Sequence, residues 1–178
     1  ILAVVLYHAG VPWFAGGYLG VDIFFVISGF LITRQLLGEL RATGALEMAH
    51  FFARRARRII PAFVAMAIGT TALVMMFLHP LTEQRLFGNA LIRSAAFLYN
   101  ISLWRGAYEY AAPDAQQRVL LHTWSLGVEE QFYLVWPLIC ILAARLGRPS
   151  AVFLPLVVVS YATSWWLSLR DSPAVFFL

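Results

Sequence analysis

Twenty consecutive residues, Ile59 to Leu78, carry no charge. A helix that is apolar on every side needs an apolar solvent around it. At ~1.5 Å per residue this run reaches ~30 Å, the thickness of a bilayer's hydrocarbon core. Pro149 to Leu169 is equally free of charge, and Tyr18 to Leu37 holds only Asp22 and, near its end, Arg34. An arginine there can extend its head to the interface. Gln131 to Ala144 is uncharged but short. It becomes long enough if its helix starts near Val128 and takes Glu129 and Glu130 into the first turn, where carboxylates suit the helix dipole. Pro61 falls in the first turn of the Ile59 span, a position that tolerates proline. Composition agrees: the chain is 61% hydrophobic and 12% charged, against about 25% charged in soluble domains. A water-soluble globule and a disordered chain are both excluded. The fold class expected is all-α, a polytopic transmembrane helix bundle of about five spans.

Charge sets the expected topology. All 13 basic residues are arginine, against 9 acids, for a net charge of +4. In a chain this apolar, that excess belongs at a membrane surface rather than on nucleic acid. Residues 34–58 hold six arginines (34, 41, 54, 55, 57 and 58) against Glu39 and Glu47, and so should face the cytoplasm. The uncharged connection Ala9–Gly17 should then face outside. Phe87 to Trp104 is apolar overall but contains Asn89, Arg93 and Asn100. Arginine at a bilayer centre costs at least ~2.5 kcal/mol, and a span here would put the Arg145–Arg148 loop outside. The charge rule therefore favours a re-entrant or interfacial segment. Residues 1–8 reach only ~12 Å and read as the last turns of a helix that begins before Ile1. The apolar run Ala174–Leu178 likewise stops in mid-element.

Ionisable groups at membrane depth are candidates for function. His8 stands just before the turn Gly10-Val11-Pro12, and Asp22 lies near the start of the next helix. A carboxylate beside an imidazole fixes its tautomer and suits it to act as a general base on a hydroxyl. The plainer reading of His8 is an interfacial histidine bonded to backbone. In the run Phe51 to Arg58, Arg54 shares a helical face with Arg57, and Arg55 with Arg58. Such guanidinium pairs fit phosphates, although composition alone favours a topology anchor. The densest cluster is His122-Thr123-Trp124-Ser125-Leu126-Gly127-Val128-Glu129-Glu130-Gln131-Phe132-Tyr133. Ser125 to Glu129 reads as a hydroxyl-capped helix start. Glu129, Tyr133 and Trp136 fall on one face, which could meet a sugar ring or form an interfacial aromatic belt. Cys140 has no basic neighbour and reads as packing. His50 and His79 read as structural. Gly16-Gly17 through Gly20 follows no strand, so no nucleotide fold is indicated. Ser28-Gly29 suggests close helix packing. The chain shows no metal-ligand spacing.

Four blocks, Leu6-Tyr7-His8, Gly17 to Ile32, Arg54 to Pro61 and His122 to Tyr133, together resemble the bacterial acyltransferase-3 family. These are membrane O-acetylases of lipopolysaccharide, peptidoglycan and other glycans. The resemblance runs from the first residue to about Pro137. It implies that 1–178 is the N-terminal part of one membrane acyltransferase domain, cut at both ends, in a multi-pass protein of the bacterial inner (plasma) membrane. It implies transfer of an acyl group, usually acetyl, from acyl-CoA as cosubstrate to a hydroxyl of a carbohydrate or glycolipid acceptor. Membrane lipids surround the site, and neither a bound cofactor nor a nucleic-acid partner is implied. His8 matches the family's first-helix histidine; the arginine eleven positions earlier would precede Ile1. The family's arginine pair falls on Arg55 and Arg58, with Arg54 and Arg57 as the alternative register, and its acidic residue on Glu129. The residues expected to act are thus His8, Asp22 and Glu129 in catalysis, Arg55 and Arg58 at the donor, and His122, Trp124 and Tyr133 at the acceptor. The competing class is a non-enzymatic transporter or lipid flippase using His8, Asp22 and Glu129 as a proton relay.

Overall fold

The computed structural model describes residues 2–78, 83–105 and 119–170. His79 and the run 174–178 lie outside the described residues. Among the described residues seven α-helices follow in order: α1 (Leu2–His8), α2 (Leu19–Thr43), α3 (Met48–Phe77), α4 (Glu83–Ala95), α5 (Tyr99–Arg105), α6 (Trp124–Arg145) and α7 (Pro149–Ser168). Short 3-10 turns stand at Pro12–Phe14 and Leu121–Thr123. No strand occurs among the described residues. The all-α expectation holds.

Four of these helices, α2, α3, α6 with its preceding 3-10 turn, and α7, are long and apolar enough to cross a membrane. The expectation of about five spans counted α1 as the tail of one; its seven described residues reach only ~10 Å. Phe87 to Trp104 is not one helix. It breaks between α4 and α5, and Phe97 there has φ 56°, a backbone region that bulky side chains rarely occupy. Neither piece is long enough to span, in keeping with the re-entrant or interfacial reading.

Three local expectations are corrected. The arginine run does not precede its span but belongs to the same 30-residue helix, α3, so Pro61 is interior rather than in a first turn. Interior proline is tolerated in membrane helices because neighbouring groups can satisfy the freed carbonyl. The last long polar block begins its helix at Trp124, not near Val128, so neither Glu129 nor Glu130 is in the first turn. Ser125 is therefore not a cap. Its hydroxyl donates to the His122 carbonyl at 3.1 Å, because the 3-10 turn already leads the chain into α6.

The chain divides into two compact units. One comprises residues 1–46 and 136–152. Here α1 lies against α2 through glycine. A Cβ on Gly17 would fall on the Ala3 carbonyl oxygen and come 2.7 Å from the Tyr7 Cβ, and one on Gly20 would come 2.6 Å from a Val4 methyl. Close backbone approach of this kind substitutes for hydrophobic driving force inside lipid. Farther along α2, Thr33 Oγ1 accepts from Trp136 Nε1 at 2.7 Å and donates to the Gly29 carbonyl at 2.6 Å. Ile32, Leu36, Cys140 and Ala143 are buried in this unit, which agrees with reading Cys140 as packing. Gly17→Ala should cost roughly 1–3 kcal/mol through overpacking. A thermal melt of the detergent-solubilised protein, with Gly16→Ala as the open-space control, checks it; equal melting temperatures would contradict the packing argument.

The other unit comprises residues 47–135 and 153–178. Val74, Phe87, Tyr99, Leu103 and Leu120 form its buried core, with Met66, Trp104 and Trp124 packed against it. A buried Ser94–Thr123 hydroxyl pair at 2.7 Å joins α4 to the 3-10 turn, and Thr123 Oγ1 also lies 2.8 Å from the Leu120 carbonyl.

Candidate active site

Within this second unit, α3 and α6 bring together residues that lie some eighty positions apart. On α3, Phe51 and Arg55 are one turn apart and share a face. On α6, the same spacing stacks Glu129 over Tyr133. The Arg55 guanidinium sits 5.1 Å from the centre of the Tyr133 ring and 5.6 Å from that of Phe51. The two rings meet edge to face, 6.5 Å apart at 87°, and both are buried. A guanidinium is weakly hydrated and planar, so it can lie on aromatic faces where an ammonium would keep its water.

The Tyr133 hydroxyl donates to the Glu129 carboxylate. Glu130 lies within electrostatic reach of both Glu129 and Arg55. Its Oε1 is buried and has no hydrogen-bond partner among the described residues. A buried acceptor left unmatched is costly, and native structures keep few of them. The cluster thus offers one cation held on aromatic faces, one carboxylate engaged by a phenol, and one carboxylate oxygen still to be satisfied.

The expected site residues are not all gathered here. Arg55, Glu129 and Tyr133 meet, although Arg55 was expected at the donor and Tyr133 at the acceptor. Arg58 is exposed. Arg54 turns to its own helix, Nη1 donating to His50 Nδ1 at 2.8 Å, so His50 keeps a structural role. Trp124 packs on the core, and His122 is exposed in the turn before α6. His8 and Asp22, in the first unit, make no hydrogen bond or ion pair with each other among the described residues, and both are exposed. The partner fixing His8 is the Val4 carbonyl, 2.8 Å from Nδ1. A carbonyl only accepts, so Nδ1 carries the proton and Nε2 presents its lone pair. This backbone contact fixes the same tautomer that a carboxylate partner at Nδ1 would fix.

Sequence reading named Phe51, Asn100, Glu130 and Gln131 but gave none of them a site role. The i, i+4 spacing of Phe51 and Arg55 was a usable signal; the other three required tertiary contacts.

The model of a family described as "Acyltransferase domain" matches residues 1–178. The chain belongs to this acyltransferase family. Among its relatives is a protein named peptidoglycan O-acetyltransferase OatA, of Listeria monocytogenes. It is 33% identical over 176 residues, which is 97% of this chain and 28% of the relative. Another is O-acetyltransferase OatA of Staphylococcus aureus, 33% identical over 163 residues, 90% of this chain and 26% of the relative. The acyltransferase-family chain thus spans about a quarter of the length of these curated relatives. No solved structure matches it.

Proposed function

We propose that this chain is part of a membrane O-acyltransferase that moves an acetyl group from acyl-CoA to a hydroxyl of a cell-wall carbohydrate. The observation that carries the reading is the cluster of Arg55, Tyr133, Glu129 and Glu130 in a chain of the acyltransferase family. Relatives named for peptidoglycan O-acetylation support the carbohydrate acceptor. The arginine-rich first half of α3 supports a phosphate-bearing donor.

In this reading His8 Nε2 takes the proton of the acceptor hydroxyl as its oxygen attacks the thioester carbonyl. The carbon–sulfur bond breaks, the new ester carbon–oxygen bond forms, and the CoA sulfur leaves and gains a proton. Arg55 holds the phosphates of the donor, and Arg58 adds a second cation on the same helix. Glu129 fixes the Tyr133 ring beneath Arg55. His122 and Trp124 flank the entrance to α6, where the acceptor would approach. The assembly works in the bacterial inner membrane, surrounded by its lipids.

The test is glycan acetylation by the full-length protein in proteoliposomes loaded with acetyl-CoA, read by mass spectrometry of the acceptor. Acetylated glycan is the expected product. Asp22→Asn should retain activity within about threefold, since the Val4 carbonyl already fixes the imidazole tautomer. Transport of a lipid or glycan with no acetyl transfer would overturn the reading in favour of a proton-coupled carrier.

A further inference from the structure

The turn of α6 that carries both carboxylates is fastened from one side by a pair of amides. Gln131 Nε2 donates to the Phe97 carbonyl at 2.8 Å and to Asn100 Oδ1 at 2.9 Å, and Asn100 Nδ2 donates back to Gln131 Oε1 at 3.2 Å. Asn100 is completely buried. The same spot admits no side chain on the neighbouring turn: a Cβ on Gly127 would come 2.8 Å from Asn100 Oδ1 and 3.1 Å from the Phe97 carbonyl oxygen. Phe97 is the sole non-glycine residue with positive φ among the described residues. A strained backbone at a bulky residue persists only where its surroundings hold it, and here its carbonyl is held by Gln131.

Simple helix packing could use apolar side chains at these positions. Buried amides cost desolvation and repay it only when fully matched, and what they add is a single orientation. That orientation falls at the centre of the cluster. Gln131 follows Glu129 and Glu130 directly and precedes Tyr133 by two residues. A helix advances about 100° per residue, so locking Gln131 toward Phe97 and Asn100 sets the directions in which both carboxylates and the phenol leave α6.

We propose that the Asn100–Gln131 amide pair is the positioning device of the active cluster, holding α6 at the rotation that places Tyr133 and both carboxylates against Arg55. The proposal rests on the acyl-transfer reading above. Neither amide touches a reacting group; both act through the carboxylates and the phenol.

The test compares full-length Gln131→Leu and Asn100→Leu with Ser94→Ala, which breaks the buried Ser94–Thr123 pair in the same unit without touching the α6 turn. Initial rates per folded molecule, at varied acetyl-CoA, separate kcat from KM, and thermal melts report stability. The two amide variants should lose about 10- to 100-fold in kcat with KM changed less than threefold. Such a loss is the scale on which slight misplacement of catalytic groups is felt. Ser94→Ala should lower the melting temperature comparably and leave kcat within twofold. Gln131→Glu keeps the bond from Asn100 but loses both donated ones, so it should fall with Gln131→Leu; it serves if the leucine variant does not accumulate. A kcat within twofold of the parent in the amide variants overturns the proposal, as does an equal loss in Ser94→Ala. A parent protein that acetylates nothing overturns the acyl-transfer reading instead.

Discussion

Arg55→Ala in the full-length protein should cut acetyl transfer by about 30- to 150-fold. Truncating one partner of a buried charge pair at a binding site costs roughly 2–5 kcal/mol of affinity. Arg55 is only part-buried, so the loss should be nearer 2–3 kcal/mol, which converts to the range given. Two things are lost together: the stacking of the guanidinium 5.1 Å from the Tyr133 ring and the positive charge that acts on Glu130. Arg55→Lys should recover little, because an ammonium cannot lie flat on both rings. Arg58→Ala, at an exposed position, should cost less than Arg55→Ala. Rates at saturating and limiting acetyl-CoA measure all three. An Arg55→Ala enzyme working within threefold of the parent would mean the cluster is only structural.

His8→Ala is expected to have the other large effect, a drop of about 10²- to 10⁴-fold, the usual worth of a positioned general base. His8→Gln should be no better, for although its amide can donate to the Val4 carbonyl, it has no basic lone pair. Both variants should insert and melt like the parent, since His8 is exposed and its bond lies within its own helix. Full glycan acetylation by His8→Ala would remove the imidazole from the mechanism.

Much of the fold was legible from charge and hydropathy alone. The uncharged runs 59–78 and 149–169 had to be helices, because lipid leaves the backbone no other internal partner. Helix starts were harder. The arginines joined α3 because nothing between Met48 and Ile59 breaks a helix, and a charged turn can continue a span into the polar layer. Ser125 and Glu129 imitated a cap, but the 3-10 turn at Leu121–Thr123 had already begun the winding. Of the candidate site, Arg55, Glu129 and Tyr133 were visible as residue types, whereas their meeting was not. That depends on how α3 and α6 are rotated, which side chains such as Asn100 and Gln131 determine through contacts more than thirty positions apart. His8 was legible in one of its two readings: the backbone-bonded histidine holds, with its partner four residues behind it.

Pro61 has a mechanical consequence for this arrangement. Lacking an N–H, it leaves the Arg57 carbonyl, two residues beyond Arg55, without its helical donor. A rod missing one such bond bends there more readily than elsewhere. α3 is therefore two stiff levers on a soft joint, a short basic arm and a long lipid-embedded one. Any bend at that joint moves Arg55 relative to the lipid-embedded remainder of the helix.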